Sequence, residues 1–199
     1  MNATEQYSSI YAHVEDQLLS RLPAHLTYHS IEHTRDVLQQ SERIARTENK
    51  FDEHEIFLLK VAALYHDTGF LHHYSNHEES SCELAKKDLP GFGLTTADIE
   101  EVMKMIRATK IPQSPPNKLA EVLCDADLDY LGRPDFFTIA NQLFNELKEM
   151  KIISDEKEWD RIQVKFLKGH RYFTATNIEA RKPQKLHHLK ILEDRVEQY

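Results

Sequence analysis

The segment Asp52–Gly69, DEHEIFLLKVAALYHDTG, decides the fold. From Ile56 to Leu64 it has almost no polar face, and a helix apolar nearly all round is buried at the centre of a molecule rather than laid on its surface. Asp52 reads as its N-cap and Gly69 as the C′ residue that lets it end. His66 and Asp67 then fall in or near the last turn, where the carbonyl end of the helix dipole favours a cation. Twelve histidines and thirteen aspartates in 199 residues give a His-Asp dipeptide about once by chance. Placement is what singles this one out, because an unpaired charge at the end of a buried helix is costly.

The rest of the chain also reads as helical. Charged residues make up 29%, and only 5 Gly and 7 Pro interrupt the sequence, a composition that favours helices over turn-dense β architecture. An all-α single-domain helical bundle over residues 1–199 is expected, since this length can bury one sizeable core. The net charge of -8 argues against a nucleic-acid-binding surface, which carries a basic excess. Cys82 and Cys124 sit in helical segments without Cys-x-x-Cys spacing, so neither a disulfide framework nor a thiolate zinc site is expected. No basic start leads into an apolar core at the N-terminus, and no run reaches the ~18 apolar residues a membrane span needs. A cytoplasmic protein with no membrane partner is the expectation; a homo-oligomer is compatible with the sequence.

Around the central helix, helices are predicted from a Thr4 N-cap to about Ser20, from near Ser30 to Glu48, from Ser75 or Asn76 to about Leu89, and from Thr95 or Thr96 to about Thr109. Ile111–Pro116 is a rigid loop. A helix from about Lys118 to Leu131 carries Asp125, Asp127 and Asp129 and stops at Gly132. Three more helices follow, near 135–151, 155–169 and 182–197.

His33, His66, Asp67 and Asp127 form a candidate metal set. Imidazole with carboxylate suits divalent Mn, Mg, Fe, Co or Ni, usually six-coordinate. Four protein ligands leave two positions for water or substrate, and a bound divalent ion can bring water's pKa from 15.7 to roughly 7–9. Hydrolysis requires that kind of open shell.

Tyr28-His-Ser-Ile-Glu-His33-Thr, Leu64-Tyr-His-Asp-Thr-Gly69 and Asp125-Ala-Asp127-Leu-Asp-Tyr-Leu-Gly132 resemble, in that order, the successive signatures of the HD-domain phosphohydrolase superfamily. The resemblance spans a core of about 26–132, with helices over 133–199 packing on it. It implies a helical bundle in which His33, His66, Asp67 and Asp127 bind a divalent metal that activates water against a phosphate ester or anhydride of a small molecule, with a nucleotide as the expected example. Asp67 would bridge to a second metal if one is present. The Tyr-His-x-x-x-His spacing is similar to that of cyclic-nucleotide phosphodiesterases, which makes His29 the candidate acid. Residues four apart on a helix share a face, so His29 and His33 can serve one groove. Relatives with more metals carry further polar residues after the His-Asp pair; Phe70 and Leu71 stand there instead. That favours one metal and disfavours alarmone hydrolysis, leaving His77 and Glu78 as outer-shell or proton-transfer groups. The resemblance also brings Thr109 to the site, with Arg107, Lys110 and Arg133 as candidate phosphate clamps.

Other features read as ordinary. Asp125 and Asp129 point away from Asp127 and are expected on a solvated face. His72 and His73 fall in a polar connection, and His13, His25, His54 and His170 are expected at the surface or its boundary. His187-His188 belong to a basic tail, expected to be a solvated helix face. Trp159, Phe166, Leu167, Tyr172 and Phe173 are expected to pack the C-terminal helices. Two competing functions remain: a nucleotide-sensing regulator that keeps the metal site, and a di-iron oxygenase on the same scaffold.

Overall fold

The computed structural model describes residues 3–199, and every regular element among them is helical. Ten α-helices run α1 (Ala3–Arg21), α2 (Ile31–Glu48), α3 (Glu53–Tyr65), α4 (His77–Asp88), α5 (Thr96–Ala108), α6 (Lys118–Asp127), α7 (Phe136–Glu149), α8 (Glu156–Gly169), α9 (Ala175–Ala180) and α10 (Lys182–Val196). Short 3-10 turns lie at Thr68–Leu71, Leu89–Phe92 and Asp129–Gly132.

The apolar segment is central, as its composition requires. α3 packs against α1, α2, α5 and α6, and Leu59, Val61, Ala62 and Ala63 are wholly buried. Asp52 and Glu55 close a reciprocal capping box at its start, satisfying two N–H groups that the helix leaves without internal partners. Its end differs from the expectation. α3 stops at Tyr65, and Gly69 lies inside the following 3-10 turn rather than in a left-handed cap. A Cβ on Gly69 would sit 1.9 Å from the His77 carbonyl oxygen. Glycine is required there so that the start of α4 can touch the turn.

α6 likewise ends at Asp127, short of the expected Leu131, and the chain tightens into a 3-10 turn through Gly132. α9, absent from the sequence reading, follows a Thr174 cap. Together these elements bury Asp125 and Asp129 completely, overturning the solvated-face expectation. Asp125 accepts from the Phe173 and Thr174 backbone N–H groups and the Thr174 hydroxyl. Asp129 accepts from Arg43, Asn177 and Arg181. Both Asp125 oxygens are matched by donors, as a buried carboxylate needs, and burial still pushes Asp125 up to about 6; the three donors to Asp129 all meet Oδ1, with Arg133 3.7 Å from Oδ2.

Two apolar clusters result. α1 to α6 enclose one; α7, α8 and α10, with Tyr28, Leu128 and Leu131, enclose the other. The C-terminal "basic tail" is also partly buried. His188 stacks on Phe136 at 4.6 Å, and its Nδ1–H donates to the Leu131 carbonyl oxygen at 3.0 Å. Lys185 donates to the Leu167 and His170 carbonyls at the end of α8, where a cation complements the helix dipole. Among the described residues no helix is long and apolar enough to cross a membrane.

Candidate metal centre and its cavity

Three helix ends deliver the four candidate ligands. The Ser30 cap accepts the His33 backbone N–H and sets that residue in the first turn of α2. His66 is the C-cap of α3, Asp67 follows it, and Asp127 is the last residue of α6. His66 Nδ1 lies 2.8 Å from the Ala63 carbonyl; only a protonated Nδ1 satisfies that oxygen, which leaves Nε2 as a lone pair.

Donor atoms of His33, His66 and Asp127 all lie within 4.8 Å of one another. Asp67 Oδ2 joins them at 3.4 Å from His33 Nε2 and 3.2 Å from His66 Nε2. Buried as it is, that oxygen has no aligned hydrogen bond, a deficit that calls for an explanation such as an ion. Electrostatics agree. Burial opposes charge on His33, yet hydrogen bonds and charge from Asp127 and Asp67 push it up to about 10. Burial likewise opposes charge on Asp67, while His66 and His33 hold it well below the usual carboxylate range. The pocket thus demands positive charge, and two imidazoles with two carboxylates fit a divalent ion.

Beside this set sits a second group. His77 Nε2 is 3.5 Å from Asp67 Oδ1 and 3.7 Å from Glu78 Oε1. Glu78 is buried with Oε2 unpartnered. Ser81 ties α4 to the centre, donating to the His66 carbonyl at 2.7 Å and accepting the Gly69 N–H at 2.8 Å. Phe70 fills the space between two imidazoles, with its ring centroid 4.0 Å from both His29 and His77.

His29 is held by a residue the sequence reading missed. Its Nδ1 lies 2.5 Å from Glu146 Oε1, while Glu146 Oε2 accepts the backbone N–H groups of Tyr28 and His29 at 2.9 and 3.1 Å. Tyr74 donates to Oε1 at 3.2 Å. Burial of Glu146 is complete; although burial raises its pKa, His29 and these N–H groups hold it below the ordinary value. The signal was present: Glu146 lies three residues after Leu143 on the inward stripe of α7, a charge on an apolar face.

A cleft of about 270 Å³ runs from the candidate ligands along the second apolar cluster, with His29, Asp67, His77, Glu78, Thr109 and Asp127 in its lining. The three expected phosphate clamps do not line it. Arg107 forms a two-point pair with Glu79, Lys110 donates to Asn76, and Arg133 is held by Asp36 and Asp135. Local acceptors captured each of them, and sequence spacing carries no side-chain direction. His72 and His73 are exposed.

Residues 30–129 match the model of the HD domain. The chain belongs to the HD-domain family. A crystal structure of a predicted HD superfamily hydrolase from an uncultured Thermotogales bacterium is similar, with a TM-score of 0.56 and 28% identity over 71% of this chain and 81% of that one. No curated protein matches the chain. The HD-domain match ends at Asp129, so α7 and α8, which supply Glu146 and the far wall of the cleft, lie beyond it.

Proposed function

We propose that this HD-domain protein is a phosphohydrolase that cleaves a phosphate ester or anhydride of a small molecule. His33, His66, Asp67 and Asp127 would hold a divalent ion, which when bound supplies Lewis acidity and an acidified water. In the reaction the water oxygen bonds to phosphorus as the bond from phosphorus to the leaving oxygen breaks. His77, between Asp67 and Glu78, takes the proton that water gives up. His29 returns one proton to the leaving oxygen, and the Glu146 carboxylate at Nδ1 orients its ring. The cleft walls limit competing solvent.

The observation that carries this reading is the orphaned Asp67 Oδ2 among three other ligand atoms, in a cleft that also holds His29 and His77. The test is release of inorganic phosphate from a panel of phosphate esters and anhydrides with Mn²⁺, Mg²⁺, Fe²⁺, Co²⁺ or Ni²⁺. His66→Ala and Asp67→Ala should each abolish it while circular dichroism stays helical; undiminished turnover in either variant sinks the assignment. Ligand binding without turnover under all five ions would favour a sensor, and two irons per chain with oxygen consumption would favour an oxygenase.

A further inference from the structure

The metal-facing end of the cleft is polar, but the rest is not. From Asp127 the lining continues through Leu131, Phe136, Leu147, Trp159, Ile162 and Phe166, on the 3-10 turn, α7 and α8. A wall of aliphatic and aromatic side chains gains affinity by removing apolar ligand surface from water, at roughly 0.8 kcal/mol per methylene.

Charge points the same way. Among the described residues no Lys or Arg lines this cleft, and the nearby Arg107, Lys110 and Arg133 are already engaged by Glu79, Asn76, Asp36 and Asp135. Asp67 and Asp127 already offset the charge of one divalent ion, so a phosphate monoester dianion is the smaller charge for this cleft to accept. A di- or triphosphate would bring further charge into a low-dielectric space where the ion and the histidines meet it without a Lys or Arg.

The polar inventory of the far wall is equally narrow. Gln163 lines the cleft and is only 6% exposed; its Nε2 donates to Asp160, while its Oε1 has no partner. That acceptor and the Trp159 indole N–H in the same lining match at most two polar groups. A nucleobase buried there would leave several edge groups unpaired, each at a cost in affinity.

We infer that the substrate is a phosphate monoester of a predominantly apolar alcohol or phenol, its organic group seated between α7 and α8. This rests on the phosphohydrolase reading of the same site. The reaction is R–O–PO₃²⁻ + H₂O → R–OH + HPO₄²⁻: the water oxygen bonds to phosphorus, the bond from phosphorus to the R–O oxygen breaks, and that oxygen takes the proton.

Trp159 is the single tryptophan of the chain and lines the cleft, so its fluorescence reports occupancy without turnover. Titration of the full chain, with and without Mn²⁺, uses n-alkylphosphonates from ethyl to decyl, whose C–P bond resists hydrolysis. Kd should fall roughly three- to fourfold per methylene until the cleft is full, and AMP and ATP should bind more weakly than octylphosphonate. kcat/KM for the matching n-alkyl phosphates should rise in parallel. Ile162→Glu, at a side chain 41% exposed and thus tolerant of a carboxylate, should weaken octylphosphonate about tenfold or more. A Kd independent of chain length, or tighter binding of AMP or ATP, overturns the inference, and nucleotide hydrolysis in that case leaves the phosphohydrolase reading standing. Chain-length-dependent binding with no phosphate released from any ester under any of the five ions keeps the apolar seat and overturns the hydrolase reading instead.

Discussion

Glu146 gathers both imidazole and backbone donors from the Tyr28–His29 segment, so its effect on the reaction is exerted through His29. Glu146→Gln keeps the shape and removes the carboxylate charge that faces His29 Nδ1. We expect kcat for an alkyl phosphate to fall about 10- to 100-fold, since a positioned acid contributes 10²–10⁴. The effect on p-nitrophenyl phosphate should be far smaller, because its leaving oxygen departs without a proton. Equal losses on both substrates would reduce Glu146 to a structural prop. Metal binding is testable without turnover as well. At about 100 times its Kd an ion should stabilise the native state by about 2.7 kcal/mol, seen as a rise in Tm that His66→Ala abolishes; a variant that keeps the rise would remove His66 from the ligand set. The residues legible in the sequence were those whose chemistry repeats: His33, His66, Asp67 and Asp127 announce themselves by type and order. His29 and Thr109 came with the resemblance and do reach the cleft. Arg107, Lys110 and Arg133 do not, because a long cation goes to whichever acceptor folding brings near, and Glu79 and Asp36 are remote in sequence from Arg107 and Arg133.

At the scale of elements, helix starts were easier to read than helix ends. Asp52, Thr95, Asn117 and Asp155 each accept a backbone N–H in the first turn of their helices, a local interaction written into adjacent residues. Gly69 and Gly132 were read as helix stops, yet each is small because another element presses on it, the His77 carbonyl in one case and Arg181 in the other. Those contacts are tertiary and leave no local trace. α9 escaped notice because its six residues are too few for a helical period; its Thr174 cap is locked to Asp125, 49 residues away. Gly69→Ala should therefore destabilise by about 2–4 kcal/mol, at or above the usual range for overpacking, because the clash is with backbone. Gly91→Ala, where nothing lies within 4 Å of the added carbon, should be neutral within about 0.5 kcal/mol. Chemical denaturation of the pair checks this, and equal stabilities would mean that α4 can yield to the methyl.

For the molecule as a whole, the seam between the C-terminal helices ties stability to pH. Lys185 places its ammonium 3.4 Å from His170 Nδ1 while donating to the carbonyls of Leu167 and His170. Burial, reinforced by this positive neighbour, lowers His170 from 6.5 to about 3. A histidine whose folded pKa is depressed binds its proton more readily in the unfolded chain, so stability is lost as pH falls from about 6.5 toward 3, at up to about 1.4 kcal/mol per pH unit. Asp125, raised to about 6, works with the opposite sign: its contribution is present at low pH and is lost as pH rises from about 4 through 6. The two partly cancel in the native protein, so only a comparison isolates His170. His170→Asn retains an acceptor for Lys185 but cannot titrate. Between pH 7 and pH 4.5 the native chain should lose roughly 2 kcal/mol more than this variant in urea unfolding, a difference accumulated over about two pH units. Parallel stability curves would show that His170 protonates freely in the fold, and that the Lys185 contact opens at no cost to the packing of α8 on α10.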